Sequence, residues 1–214
     1  MIDNFKHKGL RNKLVDTLRE KGIQDEAVLT AFKNVPRHFF LDAVFVSQAY
    51  SNMAFQIGAG QTISHPYTVA FQTALLTITK GEKILEIGTG SGFQTAILCD
   101  LGAKVFSIER QRELYLKANK IVPALGYNAK LKYGDGYKGW PTFGPFDKII
   151  VTCGAPFIPE ELVNQLKNGG KMVIPIGEGK TQEMLLIRKH LNGEIEKEQL
   201  GVFSFVPMLK EVAK

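Results

Sequence analysis

Ile84-Leu85-Glu86-Ile87-Gly88-Thr89-Gly90-Ser91-Gly92-Phe93-Gln94 reads as an apolar strand that runs into a glycine-rich turn and opens a helix. Glycine tolerates positive φ and lets a ligand approach the backbone, while a helix start presents free N–H groups. In an open α/β sheet, the carboxyl end of such a strand is where ligands bind. The next strand ends at Glu109, 21 positions beyond Gly88, where a carboxylate can accept both hydroxyl protons of a ribose. The two features together locate a nucleoside. The glycines could also do no more than make a tight turn; Glu86, Glu109 and the surrounding alternation argue for the ligand.

Working outward, the spacing predicts strands at Lys83–Ile87, Lys104–Ile108, Ala129–Tyr133, Lys148–Thr152 and Lys171–Ile176, with helical segments near 92–101, 111–122 and 159–167. Strands alternating with helices imply a mostly parallel sheet covered on both faces. The chain's end differs: Glu183–Lys189, the Asn192-Gly193 turn and Glu194–Phe203 read as an antiparallel hairpin closing the sheet edge. Toward the N-terminus, Leu10, Leu14, Val15 and Leu18 predict a helix over 9–21. A second helix runs from near Asp25 to before Pro36, and a third from Ser64 to Ile78 with Pro66 in its first turn. Residues 37–63 lack a sustained period and read as a loop-rich connection. The whole, 1–214, is expected to form a single domain, with 1–63 a helical and loop extension and 64–214 the core.

At 214 residues, with 44% hydrophobic and 22% charged residues, the chain suits one soluble globular core, and the composition excludes general disorder. The 27 Lys+Arg against 21 Asp+Glu give +6, which permits attraction to nucleic acid or anionic membrane without demanding it. The basic residues are scattered, densest in the first two dozen residues on one helix face, so a solvated face is expected, with no nucleic-acid and no membrane partner. Cys99 and Cys153 show no metal-ligand spacing and are expected to be reduced and buried; no metal is expected. The first residues lack an apolar run, so a cytoplasmic location is expected. His7, His38 and His190 read as surface or satisfied structural residues, and Trp140 as a packing residue.

Spacing decides which nucleoside. The dinucleotide fingerprint needs GxGxxG, whereas here Phe93 stands where the third glycine belongs. ExGxGxG followed by an acid one strand later resembles the S-adenosylmethionine site of Rossmann-like methyltransferases. Gly134-Asp135-Gly136 follows the third strand at the same sheet edge, where that class places residues facing the adenine; alone, Asp135 would read as a turn aspartate. The loop Gly58-Ala59-Gly60-Gln61-Thr62-Ile63-Ser64-His65-Pro66 sets a hydroxyl at a helix start. Ser64 is then either the helix N-cap or, with neighbouring N–H groups, a holder of an anionic group such as a carboxylate.

Val35-Pro36-Arg37, Ile57 to Ser64, Glu86 to Gly92, Ser107 to Arg110, Phe146 to Thr152, Leu166 to Gly170, Val173 to Gly177 and Phe205-Val206-Pro207 together resemble the protein-L-isoaspartate O-methyltransferase family over nearly the whole chain. The resemblance implies a Rossmann-like class I α/β methyltransferase with a mostly parallel seven-stranded sheet, an antiparallel C-terminal hairpin and an N-terminal helical extension. It implies S-adenosylmethionine as methyl donor, S-adenosylhomocysteine as product, and isoaspartyl-containing proteins and peptides as partners, with none obligate. Their esters would cyclise to succinimides and reopen partly as normal aspartate. Ser64 takes the active-site serine position. The cofactor falls to Glu86, Gly88, Thr89, Gly90, Gly92, Gln94, Glu109, Arg110, Asp135, Gly136 and Thr152, and the acceptor to Gln61, Ile63, His65 and Val206. Asn52, where an acid is frequent, Gln56, in place of a usual proline, and Cys153-Gly154, in place of a pair of alanines, depart from the pattern. Two rivals remain at the sequence level: the same fold with a small-molecule or RNA acceptor, and a noncatalytic peptide-binding module.

Overall fold

The computed structural model describes residues 2–213. Helix α1 (Phe5–Glu20) starts where the Asn4 side chain accepts the His7 N–H, ahead of the expected start at residue 9. Its first turn carries the exposed Phe5, so apolar periodicity sets in only further along. Helix α2 (Glu26–Asn34) begins behind Asp25, whose carboxylate accepts the Ala27 and Val28 N–H groups.

The connection over 37–63 holds more order than expected. Two 3-10 turns, Arg37–Phe40 and Ala43–Gln48, precede a small antiparallel pair, β1 (Phe55–Gly58) and β2 (Gln61–Ile63). Ala59 and Gly60, at φ 50° and 68°, make the tight turn between them, the positive-φ pair that matches strand twist. Strands this short show no period, and Ala-Gly lacks the usual turn residues, which is why the sequence hides the hairpin. His38 is buried and bonded through Nδ1 to the Tyr50 hydroxyl, but its Nε2 has no partner, so it is neither a surface nor a fully satisfied residue.

Helix α3 (Pro66–Leu76) is shorter than the predicted 64–78, ending at Thr77 in the left-handed region. The core then runs β3 (Lys83–Ile87), α4 (Phe93–Asp100), β4 (Lys104–Glu109), α5 (Arg112–Ala124), β5 (Ala129–Tyr133), β6 (Phe146–Val151), α6 (Glu160–Gln165), β7 (Leu166–Ile176), β8 (Gln182–Lys189) and β9 (Ile195–Phe203). Strands β6 and β7 begin earlier than predicted, at Phe146 and Leu166. The sheet order is β5-β4-β3-β6-β7-β8-β9. The first five strands are parallel, and β8 and β9 run antiparallel at the edge as expected.

Strand alternation assigns the two faces. Leu85, Ile87, Phe106, Ile108, Ile149 and Val151 pack on the α6 side, while Ile84, Val105, Ile150 and Val173 pack with Leu76 and Leu98 on the other. Helices α1 and α2 add a further layer: Leu14, Leu18 and Phe32 share one cluster with Val69, Phe93 and Ile97. Trp140 packs edge-on to Phe106 and Phe143. Because β3 has β4 on one side and β6 on the other, the chain's winding reverses there and opens a crevice at the strand's carboxyl end.

Ala59 carries a side chain at φ 50°, which costs on the order of 1 kcal/mol. Ala59→Gly is expected to raise stability by about 0.5 kcal/mol after the added unfolded-state freedom of glycine is subtracted, or roughly 1–2 °C in a thermal melt. A lowered midpoint would show that the alanine is not strained.

Candidate active site

Gly88 leaves β3 at φ 98°, and a Cβ added there would lie 2.5 Å from Thr152 Oγ1. That hydroxyl, at the end of β6, donates to the carbonyls of Ile87 and Gly88 at 2.9 and 2.7 Å. The turn is held from the other side by Glu109 at the end of β4. Its carboxylate accepts the Gly90 N–H at 2.8 Å and the Gln111 N–H at 2.7 Å. Burial raises the Glu109 pKa and these backbone donors pull against that rise. Below the turn the Thr89 and Ser107 hydroxyls bond at 2.5 Å.

Above the turn lies a cavity with about 840 Å³ of empty space, its open mouth included. Gly88, Thr89, Gly90, Gln94, Glu109, Arg110, Gly136 and Thr152 line it, and so do Gln61, Ile63, Ser64 and Val206 from the opposite wall. Helix α3 takes His65, not Ser64, at its N-cap position and has no side-chain cap, so the Ser64 hydroxyl is not spent on the helix.

Four sequence candidates do not line the cavity. Glu86 is wholly buried beneath the turn, its Oε2 accepting the Thr95 hydroxyl at 2.5 Å and its Oε1 unpartnered. Burial pushes this carboxyl up to about 8, so it is neutral at physiological pH and supports the turn from below. Gly92 is glycine for packing: a Cβ there would meet Val122 Cγ2 of α5 at 2.7 Å. Asp135 accepts the Tyr137 N–H at 2.9 Å and the Glu211 N–H at 3.1 Å, which makes it a turn residue that also ties down the C-terminal segment. His65 is exposed beside the cavity.

Sequence reasoning missed Val69 and Gln72 on α3, Cys153, and Met208 with Leu209. Val69 and Gln72 lie on the helix face that follows Ser64, where a buried glutamine in an apolar row was a readable sign. Met208 and Leu209 reach the site because Gly154 pairs with the C-terminal segment, exchanging bonds with Val206 and Met208. Both cysteines are unpaired but partly exposed rather than buried. Burial of the Cys153 thiol nevertheless pushes it up to about 12, which keeps it protonated.

The cavity fits a nucleoside-bearing ligand on observations of its own. Helix α4 starts without a side-chain cap, and Gln94, in its first turn, has a buried Oε1 with no partner. Glu109 keeps spare lone pairs beyond its two backbone donors.

A family model described as protein-L-isoaspartate(D-aspartate) O-methyltransferase matches residues 9–213. The chain belongs to this family. A protein-L-isoaspartate O-methyltransferase of Christiangramia forsetii is 56% identical, covering 99% of both chains, and one of Flavobacterium johnsoniae is 57% identical with the same coverage. Among solved structures, a protein-L-isoaspartate O-methyltransferase superposes with a TM-score of 0.84 at 30% identity, over 92% of this chain and 65% of that one. A Plasmodium falciparum chain described as the same enzyme, in complex with S-adenosyl-L-homocysteine, gives 0.82 at 26% identity, over 96% and 99%. The fold is thus the Rossmann-like methyltransferase fold, and S-adenosylmethionine is the methyltransferase's cofactor.

Glu86 ionises more readily in the unfolded methyltransferase than in the folded one. Between its ordinary 4.5 and about 8 the unfolded chain therefore gives up the proton first, and rising pH costs stability across that window before levelling off. The stability advantage of Glu86→Gln over the wild type is expected to widen from the lower to the upper end of this window in paired thermal melts. A constant difference would mean that the carboxyl ionises normally.

Proposed function

We propose that Ser64 orients the acceptor carboxylate in this cavity while the Gly88–Gly92 turn and Glu109 hold the cofactor. The chain is a protein-L-isoaspartate O-methyltransferase that uses S-adenosylmethionine. One observation carries the assignment of roles: a serine hydroxyl free of helix capping shares one cavity with the glycine turn and its acid.

The acceptor needs no general base, because a carboxylate with a pKa of about 4 is already ionised. The cavity agrees with this chemistry. Among the described residues Glu109 is the acid in its lining, and no histidine lines it. When bound, S-adenosylmethionine supplies a methyl on a positively charged sulfur, which keeps the bond electrons as the carboxylate oxygen takes the methyl. Catalysis then falls to alignment and exclusion of water. Ile63, Val69 and Val206 provide apolar walls, Ser64 donates to the acceptor, and Glu109 accepts from the ribose hydroxyls. Arg110, Gln94, Thr89, Gly136 and Thr152 complete the cofactor wall, with Gln61 at the acceptor side. Glu86, Gly92 and Asp135 act by shaping the turn and the C-terminal segment rather than by contact.

The acceptors in this reading are L-isoaspartyl and D-aspartyl residues of damaged proteins and peptides, and the ester opens a route through succinimide back to aspartate. Among the described residues no helix is long and apolar enough to cross a membrane. We place the repair in the cytoplasm, by a single domain spanning 1–214.

The test uses two peptides that differ only in isoaspartyl or normal aspartyl linkage, with labelled S-adenosylmethionine. Base-labile label is expected on the isoaspartyl member alone; label on neither, or on both alike, would overturn the acceptor. Ser64→Ala removes one hydrogen bond to a charged group, so turnover is expected to fall about 10- to 100-fold with S-adenosylhomocysteine affinity unchanged. Full turnover in that variant would take Ser64 out of the mechanism.

A further inference from the structure

Arg37 is 1% exposed. Its Nε donates to the Ala49 carbonyl at 3.0 Å, and its Nη2 donates to the Met53 and Ser64 carbonyls at 3.0 Å each. Nη1 is buried with no partner, and among the described residues no carboxylate pairs with the guanidinium. The guanidinium carbon lies 4.9 Å from the centre of the Phe93 ring, and Phe93 both lines the cavity and opens α4. Burial pulls Arg37 down to about 9, which still leaves it charged at neutral pH. The charge is felt locally, since it adds to burial in lowering the pKa of His65.

A buried cation whose hydrogen bonds go only to carbonyls is costly to hold, and a salt bridge for structure would have supplied an acid. Asn52, just before Met53, accepts the Tyr67 N–H of the first turn of α3 at 2.8 Å through its amide oxygen. The loop that carries Ser64 therefore lies in a positive field with no compensating carboxylate on Arg37.

We propose that Arg37 is a positioning residue for the acceptor: through the Ser64 carbonyl it holds the active-site loop, and its unpaired charge favours a carboxylate acceptor over a neutral one. The inference rests on the role of Ser64 given under Proposed function. The acceptor enters as an anion and leaves as a neutral ester, so a fixed positive charge strengthens substrate binding and weakens the hold on product. The transfer step, in which opposite charges cancel together, feels that charge much less. The hydrogen-bond fork acts otherwise, because it sets where Ser64 lies and hence the alignment on which transfer depends. Charge belongs to KM, and the fork belongs to kcat.

Three variants separate the roles, read by isoaspartyl-peptide kinetics, by calorimetric affinity for that peptide with S-adenosylhomocysteine present, and by S-adenosylhomocysteine affinity alone. Arg37→Lys keeps the charge and loses the fork: kcat falls with KM near wild type. Arg37→Met loses both: peptide affinity drops about tenfold or more and kcat falls. Arg37→Gln keeps an N–H donor and loses the charge: peptide affinity drops about tenfold while kcat falls less than in Arg37→Met. In all three, S-adenosylhomocysteine affinity stays within about twofold. Unchanged peptide affinity in both Arg37→Met and Arg37→Gln overturns the proposal, as does cofactor affinity falling in step with peptide affinity. Should Arg37→Met or Arg37→Gln fail to fold, Arg37→Lys decides alone, and an unchanged kcat there overturns the proposal. A wild type that leaves the isoaspartyl peptide unlabelled would overturn the acceptor reading along with this inference, whereas labelling with unmoved variants overturns this inference only.

Discussion

Everything in the site hangs on the space above Gly88, which the Thr152 hydroxyl has already taken. That hydroxyl lies where a Cβ would go, and it binds the last two carbonyls of the β3 end. The chain leaves β3 at a φ that L side chains rarely adopt, and the glycine turn is clamped between β6 on one side and Glu109 of β4 on the other. A shift of any of these three strand ends would move the turn, the helix start behind it and the wall that faces Ser64. Parallel neighbours make such a shift costly, since each strand is buried on both faces and registered against the next.

The charges around the cavity are arranged by burial more than by pairing. Glu86, directly below the turn, is pushed up to about 8 because its desolvation outweighs the hydroxyl bond from Thr95. Glu109 lines the cavity and is held by backbone N–H groups, which oppose the upward push of burial on its carboxyl. Arg37 supplies positive charge behind the acceptor loop. Glu109 and Arg110 thus share one wall of the cavity, while the Arg37 charge lies behind the loop that carries Ser64.

How much of this was legible follows from what each feature depends on. Strand β3 and the turn were readable because a doubly buried strand, a glycine alternation and the distant acid each leave a local mark. The edge hairpin was readable from Asn192-Gly193. The β1–β2 pair was not, since seven strand residues give no period and its turn uses Ala59. Glu86 and Asp135 were recognisable as special acids, yet their direction was hidden: alternation along β3 puts Glu86 opposite Leu85 and Ile87, into the layer under α4, and only the tertiary fold shows that Asp135 turns toward Glu211. Val69, Gln72 and Met208 come to the cavity through packing and through the Gly154 pairing, which no window of sequence contains.

A reaction that moves no proton relieves the protein of tuning an acid or base and leaves geometry as its main lever. The two walls meet that demand differently. The cofactor wall is built on strand ends and a helix start, the stiffest parts of an α/β sheet, as a nucleoside of fixed shape requires. The wall proposed for the acceptor is a short hairpin, one serine and a C-terminal segment, joined to the frame by the Arg37 side chain and by backbone bonds of Gly154. On the proposed roles such a wall takes a backbone defect in many sequence contexts, because it would hold a carboxylate and not a particular neighbour. Helices α1 and α2 serve the same division: by packing on α3 and α4 they fix the helix behind Ser64 to the helix behind the glycine turn, so the distance between the two walls is set by a hydrophobic core and not by the loops that line the cavity.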